Sequence, residues 1–381
     1  MIDQTTLGCI DVPAGVEILG ADLLSDRQAR VMRAVVAAYV GAAAPVGSAT
    51  ISNLLVTPLS SASIRNTMSE LTELGLLEKP HSSSGRVPTE MGLRLFVDHL
   101  LQPRELAAEQ QRRLRHSCDD ADLDGAMYVV SQFLSDNTRQ LGFVMLPRLE
   151  RVRLQHISLI RLSSERVLVV LISRSGRAFR SSLEDRHSGP QRELDRIASV
   201  LNERIIGRTL IEVRDAMAVE SAHLRNQAGS LLARAIDLGQ RALDLAREAD
   251  PSLNLVVATR LALLDQPEFS DPERLRDLFS AIEDNEKLMT LMEGLLDSGR
   301  GGVNVALGDE LTDPGLRHCA LVSSSYGIFD NGTNDTEVQG LVGVIGPSRM
   351  DYPRIIPLVS YCSQLVAEKF NENVAAEETN L

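Results

Sequence analysis

Arg65 and Asn66 are neighbouring side chains with the chemistry to read another molecule. A guanidinium group can donate two hydrogen bonds to a guanine edge, and a carboxamide can pair in the same bidentate way with an adenine edge. Their neighbours on the same side of a helical wheel, Ala62 and Ser69, are small. Small neighbours allow the backbone to approach a partner closely. This combination predicts a surface that reads base edges in duplex DNA.

The segment that carries these residues predicts a short amphipathic helix. Ser60 suits the N-cap position and Gly75 suits the C-terminal stop. Ser61 and Ser63 also suit a first helical turn. Apolar residues recur at intervals of three and four, which gives one stripe for burial in a core. The stripe consists of Ile64, Met68, Leu71, Leu74 and Leu77.

Two short strand-like runs follow the helix and predict a β-hairpin. They are Leu76–Lys79 and Arg86–Pro88, and they flank the turn Pro80–Gly85. Side chains near the tip are hydrogen-bond donors that can hold phosphate next to a DNA groove. The predicted phosphate contacts come from Lys79, His81, Ser82 and Arg86.

Two further helices are predicted before this segment. Asp26–Ala42 has helical apolar spacing with Ser25 as its cap, and Ser48–Leu55 is a shorter helix. Val56–Leu59, with its proline, predicts the turn that leads to Ser60. Helix, short helix, turn, helix and hairpin is the order of a winged helix-turn-helix domain. The predicted DNA-binding residues are Ser48, Ser60, Ser61, Ala62, Ser63, Arg65, Asn66, Ser69, Lys79, His81, Ser82 and Arg86.

Long runs near the two ends of the chain carry a family resemblance. They read PVGSATISNLL and LSSASIRNTMSELTELGLLEKPHSSSGRVPTEMGLRLFVDHLL near the N-terminus, and GLVGVIGPSRMDYPRIIPLVSY near the C-terminus. They resemble the heat-inducible transcription repressors of the HrcA type. Ser63 stands where that family usually has threonine, Thr67 where an acidic residue is common, and Leu93 where tyrosine is common. Ser63 keeps the hydroxyl group, and none of the three departures weakens the resemblance.

The resemblance implies a homodimeric repressor that binds an inverted-repeat operator of chaperonin operons and is released on heat stress. It also implies that the GroE chaperonin helps to keep the repressor folded and active. The implied fold is α+β, with a winged helix-turn-helix domain, a GAF-like domain and an inserted helix-rich dimerisation domain. The expected boundaries are 1–24 for an N-terminal extension, 25–104 for the DNA-binding domain, 105–210 with 300–381 for the GAF-like domain, and 211–299 for the insertion.

The residues after 150 predict a sheet layer that helices interrupt. Leucine-rich helical patterns at Val219–Ala249 and Pro272–Leu296 separate two strand-rich stretches, which favours an insertion. From the residues alone, these helices suit a subunit interface or an internal core equally well. An antiparallel meander is predicted at Val152–Leu162, Arg166–Ser173 and Ala178–Leu183, with a covering helix at Glu193–Ile206.

Composition limits the other classes of function. The net charge is −13, but residues 26–98 hold seven basic and six acidic side chains, which favours DNA contact through one end only. No apolar run reaches the roughly 18 residues of a membrane span, so we expect a cytoplasmic protein without a membrane partner. The four cysteines show no metal spacing and no catalytic or cofactor motif occurs, so we expect neither an enzyme nor a cofactor.

Alternative interpretations stay open at this point. The helices and hairpin can be plain scaffold, although the upstream order of elements favours DNA binding. The GAF-like body can bind a small metabolite and so control DNA binding, and an enzyme with an incidental winged helix is disfavoured. Arg349 and Asp351 predict a structural ion pair at a strand-to-helix turn rather than a catalytic group.

Overall fold

The computed structural model describes the greater part of the chain. Helices and antiparallel sheets occur together, which confirms the predicted α+β class. The described residues are 24–80, 85–146, 153–173, 178–185, 189–209, 255–258, 266–283, 302–329 and 336–378, with isolated residues (212, 213, 215, 216, 235, 237–242, 263, 264, 290, 291 and 294) between them.

Helices and a hairpin form the N-terminal part of the described chain, residues 24–80 and 85–100, which we call the head. The three predicted helices are confirmed, and the second ends one residue earlier than expected. Ser25 and Gln28 form a capping box at the start of the first helix. The elements are α1 (Asp26–Ala42), α2 (Ser48–Leu54), α3 (Ser61–Glu73), β1 (Leu77–Glu78) and β2 (Val87–Pro88).

One face of α3 is buried against α1 in the core of the head. Ile64, Met68 and Leu71 belong to the same hydrophobic cluster as Val31 of α1, so the predicted stripe is confirmed at these positions. The prediction is wrong for Leu74, which is 44% exposed. The helix has ended at that point, and the following glycine, with a φ of +74°, turns the chain away.

A short helix and a π-helical turn complete the head, and two further helices follow it. Thr89 is the N-cap of the first of these helices, and its Oγ1 accepts a hydrogen bond from the Gly92 amide at 3.0 Å. The elements are α4 (Glu90–Leu95), a π-helical turn (Phe96–Leu100), α5 (Ala108–Asp119) and α6 (Leu123–Thr138).

Strands and helices alternate after α6, and two sheets result. The elements with defined bounds are β3 (Leu141–Met145), β4 (Leu154–Arg161), β5 (Arg166–Ser173), β6 (Ala178–Glu184), α7 (Gln191–Ile205), β7 (Leu255–Val257), α8 (Pro272–Glu283), β8 (Val303–Leu307), β9 (Cys319–Phe329), β10 (Thr336–Pro347) and α9 (Tyr352–Glu378).

Five strands form the central sheet in the order β7-β3-β10-β9-β8, with every pair antiparallel. Successive residues of β3 serve opposite faces: Val144 lies in the cluster with α6 and α9, and Phe143 lies in the cluster with α8. The first cluster continues into the head, because Val35 and Phe96 belong to it. The head therefore packs directly on the helices that cover the central sheet.

The strands β4, β5 and β6 form a second sheet that has its own core. α7 covers one face of this sheet, and Ile157, Val169, Leu194 and Ile197 lie in a cluster separate from those of the central sheet. β7 instead pairs with β3, with Phe143 opposite Val257. We call the β4–α7 segment, residues 154–205, the small-sheet unit.

This pairing puts β7, which lies within the expected insertion 211–299, into the central sheet, and the expected domain boundaries stay a prediction. The small-sheet unit interrupts the central sheet after β3, and the chain returns at β7. The sequence does not show which strands pair, because the alternation of apolar and polar residues identifies the buried face of a strand and not its partner. The predicted helix at Val219–Ala249 lies largely outside the described residues, and the one at Pro272–Leu296 is described as α8 over Pro272–Glu283.

The described ranges also bear on membrane and metal binding. Those ranges hold no helix with the length and hydropathy that a bilayer crossing requires. They also hold no cluster of three or more His, Cys, Asp or Glu side chains that could ligate a metal. Burial raises the pKa of the Cys118 thiol to about 11 and that of Cys319 to about 12. Both thiols are therefore poor nucleophiles near neutral pH.

Candidate nucleic-acid interface

The N-terminal half of α3 presents a polar, open face. Ser61, Ala62, Arg65 and Asn66 are exposed, whereas Ile64 between them is fully buried. Residues three and four apart lie side by side on a helix, so the four exposed side chains form one continuous surface. The helical fold thus brings together the arginine, the carboxamide and the small residues that the sequence singled out.

The start of α3 is fixed by its cap and by α2. Ser60 is the N-cap, and its Oγ accepts a hydrogen bond from the Ser63 amide at 3.1 Å. The Ser48 and Ser61 hydroxyls lie 3.1 Å apart and join the N-termini of α2 and α3. Ser48 and Ser63 are half-buried, which gives them a role in holding this end of the helix.

Replacing Ser60 by alanine is expected to destabilise the protein by about 1 kcal/mol, because the first turn of α3 loses its side-chain acceptor. Urea unfolding of the two proteins measures the difference. Ser199→Ala is the matched control, because that exposed hydroxyl bonds only to a carbonyl in its own helix. Equal stability of Ser60→Ala and wild type would contradict the cap assignment.

Three side chains near the interface were missed by the sequence interpretation. Arg27 pairs with Glu70 at 3.2 Å, which offsets a negative charge at the far end of the α3 surface. Arg30 Nη2 donates to the Thr57 carbonyl at 3.1 Å and so anchors the turn between α2 and α3. Val56 in that turn is 98% exposed. The position of an apolar residue in the predicted turn was the signal for Val56, whereas no local pattern pointed to Arg27 or Arg30.

The hairpin places its basic residues unequally. Lys79 is exposed and lies directly after β1. Arg86 is half-buried, and its Nε donates to Thr72 Oγ1 at 3.0 Å while its backbone pairs with Val46. Arg86 therefore braces the hairpin against α3 and the α1–α2 loop. The predicted residues His81 and Ser82 lie outside the described residues, and Ser69 is half-buried on α3.

Comparison with known proteins identifies the family. The HrcA protein C-terminal domain model matches residues 124–356. The heat-inducible transcription repressor HrcA of Sorangium cellulosum is 35% identical over 91% of this chain and 97% of its own length. The corresponding repressor of Geobacter sulfurreducens is 32% identical over 90% of this chain and 97% of its own. The chain belongs to the HrcA family of heat-inducible transcription repressors.

Membership in the HrcA family confirms the resemblance that the terminal runs indicated. A crystal structure of a hypothetical protein aligns with 92% of this HrcA-family chain and 99% of its own length, at 22% identity and a TM-score of 0.57. That likeness shows a shared fold. The repressors cover nearly the whole chain, so the match extends on both sides of residues 124–356 and into the head.

Proposed function

We propose that this chain represses heat-shock (chaperonin) operons by binding an inverted-repeat operator as a cytoplasmic homodimer, and that heat stress releases it. The observation that supports the proposal most strongly is the exposed face of α3, where Arg65 and Asn66 stand among small residues over a buried stripe. The head, within the expected boundaries 25–104, acts as a winged helix-turn-helix domain. The central sheet with α6, α8 and α9 corresponds to the GAF-like domain.

Base reading follows from the geometry of α3. A helix that enters the major groove places the residues of its N-terminal turns against base edges. Arg65 suits a guanine and Asn66 suits an adenine. The small side chain of Ala62 allows the helix backbone to approach the DNA closely. Ser60 and Ser61 at the helix N-terminus suit a phosphate, because unpaired amides and the helix dipole favour an anion there. Val56, exposed in the turn before α3, suits the methyl group of a thymine.

Lys79 supplies a phosphate contact from the hairpin. Lys79→Ala is expected to weaken binding to every sequence alike and to reduce the slope of log K against log salt by about one, because one phosphate contact is lost. Fluorescence anisotropy across a salt series measures the slope. Lys369→Ala, on α9, is the matched control, and an unchanged slope for Lys79→Ala would remove this contact from the proposal.

Dimerisation is proposed through the small-sheet unit. Opposite the face that α7 covers, Ile160 pairs with Leu168, and the next cross-strand pair joins Ser158 to Val170. Ile160 is 43% exposed, and Leu168 and Val170 are half-buried without belonging to the core under the sheet. A second copy of the same face would bury these side chains by two-fold symmetry. Two heads then reach two half-sites separated by whole turns of DNA.

Heat release and the GroE chaperonin are proposed from family membership. A repressor with small net stability loses its folded fraction when temperature rises. A chaperonin that refolds it raises the active fraction, and misfolded clients that occupy the chaperonin lower it. The extent of repression then rises and falls with the concentration of free chaperonin.

Footprinting of the full-length chain on the DNA upstream of its own chaperonin operon tests this function. We expect two protected half-sites related by two-fold symmetry, lost at heat-shock temperature and restored by added GroE. Uniform weak protection at every temperature would contradict operator recognition, and protection that GroE leaves unchanged would contradict the chaperonin link. A metabolite that controls protection without GroE would favour the alternative of a ligand-responsive regulator.

A further inference from the structure

Arg349 connects three parts of the molecule where the head meets the central sheet. Its side chain is 11% exposed and lies after β10, close to the 3₁₀ turn Pro267–Phe269. Nη1 donates to the Val40 carbonyl of α1 at 3.1 Å. Nη2 donates to Gln266 at 2.9 Å and to Glu268 Oε2 at 3.0 Å, and Nε pairs with Oε1 of the same glutamate.

The bond to Val40 satisfies a group that α1 cannot satisfy itself. The last four carbonyls of a helix have no partner inside the helix, and Val40 supplies one of them. A cation at this end also interacts favourably with the helix dipole, but the last turn of α1 contains no basic residue. Arg349 supplies that cation from the other side of the junction. Its charge is held in place by Glu268, since a nearly buried arginine requires a carboxylate partner.

A second contact joins the head to the central sheet through α4. Arg94 of α4 donates to the Val305 carbonyl of β8 at 2.7 Å and pairs with Glu310. Glu90 lies against Gly308 and Asp309, and burial, followed by the charge of Asp309, raises the pKa of its carboxyl group. The head is thus attached at the end of α1 and again at α4, which fixes its rotation as well as its position.

We propose that Arg349 is a positioning residue that sets the orientation of the head, and through it the distance between the two α3 helices of a homodimer. This inference rests on the proposed function, because that distance matters only when two heads bind one operator. Rigidly held heads match one half-site spacing and pay little ordering entropy on binding. Loosened heads accept more spacings and bind the best one more weakly.

The experiment compares wild type, Arg349→Ala and Arg349→Lys on a DNA duplex that the wild type selects from a random pool. Versions of this duplex carry one to five extra base pairs between the half-sites. For Arg349→Ala we expect about tenfold weaker binding to the duplex with the selected spacing. We also expect that inserting base pairs between the half-sites lowers the affinity of this variant by a smaller factor than it lowers the affinity of the wild type. Arg349→Lys keeps the charge and is expected to fall between the two. Arg112→Ala removes an exposed arginine that pairs with Glu109 inside α5 and serves as the matched control.

A distance measurement tests the same inference without DNA. Spin labels are placed at two exposed positions, Ala37 of α1 and Gln364 of α9. The labelled protein is diluted with unlabelled protein, and pulsed electron paramagnetic resonance then measures the distance between the head and α9. Arg349→Ala is expected to broaden this distribution at unchanged helical content. An unchanged distribution together with an unchanged spacing profile would overturn the positioning role. Failure of the wild type to select any inverted repeat would instead overturn the proposed function, and the spin-label distance would still decide the role of Arg349.

Discussion

Replacing Arg65 by alanine is expected to weaken operator binding by about 1–3 kcal/mol, which is roughly 5- to 150-fold, and to relax selectivity at one base pair in each half-site. The side chain is exposed on α3 and stands over a fully buried Ile64. Its removal therefore changes the surface and leaves the core of the head intact. Binding to a panel of duplexes with all four bases at each operator position measures both effects.

The matched control for Arg65→Ala is Arg112→Ala. Arg112 is an exposed arginine of α5 that pairs with Glu109 in its own helix. Its loss changes the net charge of the protein by the same amount as the loss of Arg65, but at a helix outside the head. We expect Arg112→Ala to retain wild-type affinity and selectivity. If Arg65→Ala did the same, α3 would not be the recognition helix.

Replacing Val170 by lysine is expected to convert the dimer to monomers and to lower operator affinity by about 100-fold or more, because the two heads no longer bind as one unit. Val170 lies on the face of the small sheet that α7 does not cover, opposite Ser158 on one side and Arg180 on the other. The lysine side chain can reach solvent in the monomer, whereas a symmetric interface would bury two lysines against apolar surface. Sedimentation velocity and anisotropy measure the two effects.

Ser199→Lys on the exposed surface of α7 is the control for Val170→Lys. Both variants add one positive charge to the small-sheet unit. We expect the control to remain dimeric with full operator affinity. A dimer of unchanged stability in Val170→Lys would show that the copies associate through another surface.

The local features of the head could be predicted from the sequence because the information they require is local. The cap at Ser60, the stripe through Ile64 and Leu71, and the exposed position of Arg65 all follow from spacing within one helix. The prediction that Leu74 is buried was wrong because the apolar spacing in the sequence continues past the residue at which the helix ends.

The features that were missed depend on contacts between distant residues. Arg349 was predicted to form a structural ion pair, but its partner Glu268 lies 81 positions away, while Asp351 pairs with Arg104. Arg86 was predicted only as a phosphate contact, and its bond to Thr72 was not foreseen. The pairing of β3 with β7, which lie on either side of the small-sheet unit in the sequence, is also a contact between distant residues. It could not be predicted because the alternation of residues along a strand does not identify its partner strand.

The most direct test of the account is a photo-crosslink from position 65 to DNA. A photoreactive amino acid replaces Arg65 in the full-length chain, which is then irradiated on the selected operator, and the crosslinked bases are mapped on both strands. We predict crosslinks at two symmetry-related base positions a whole number of helical turns apart. Crosslinks that are absent from position 65 but abundant from a label at Ser199 would contradict the claim that α3 reads DNA in two copies.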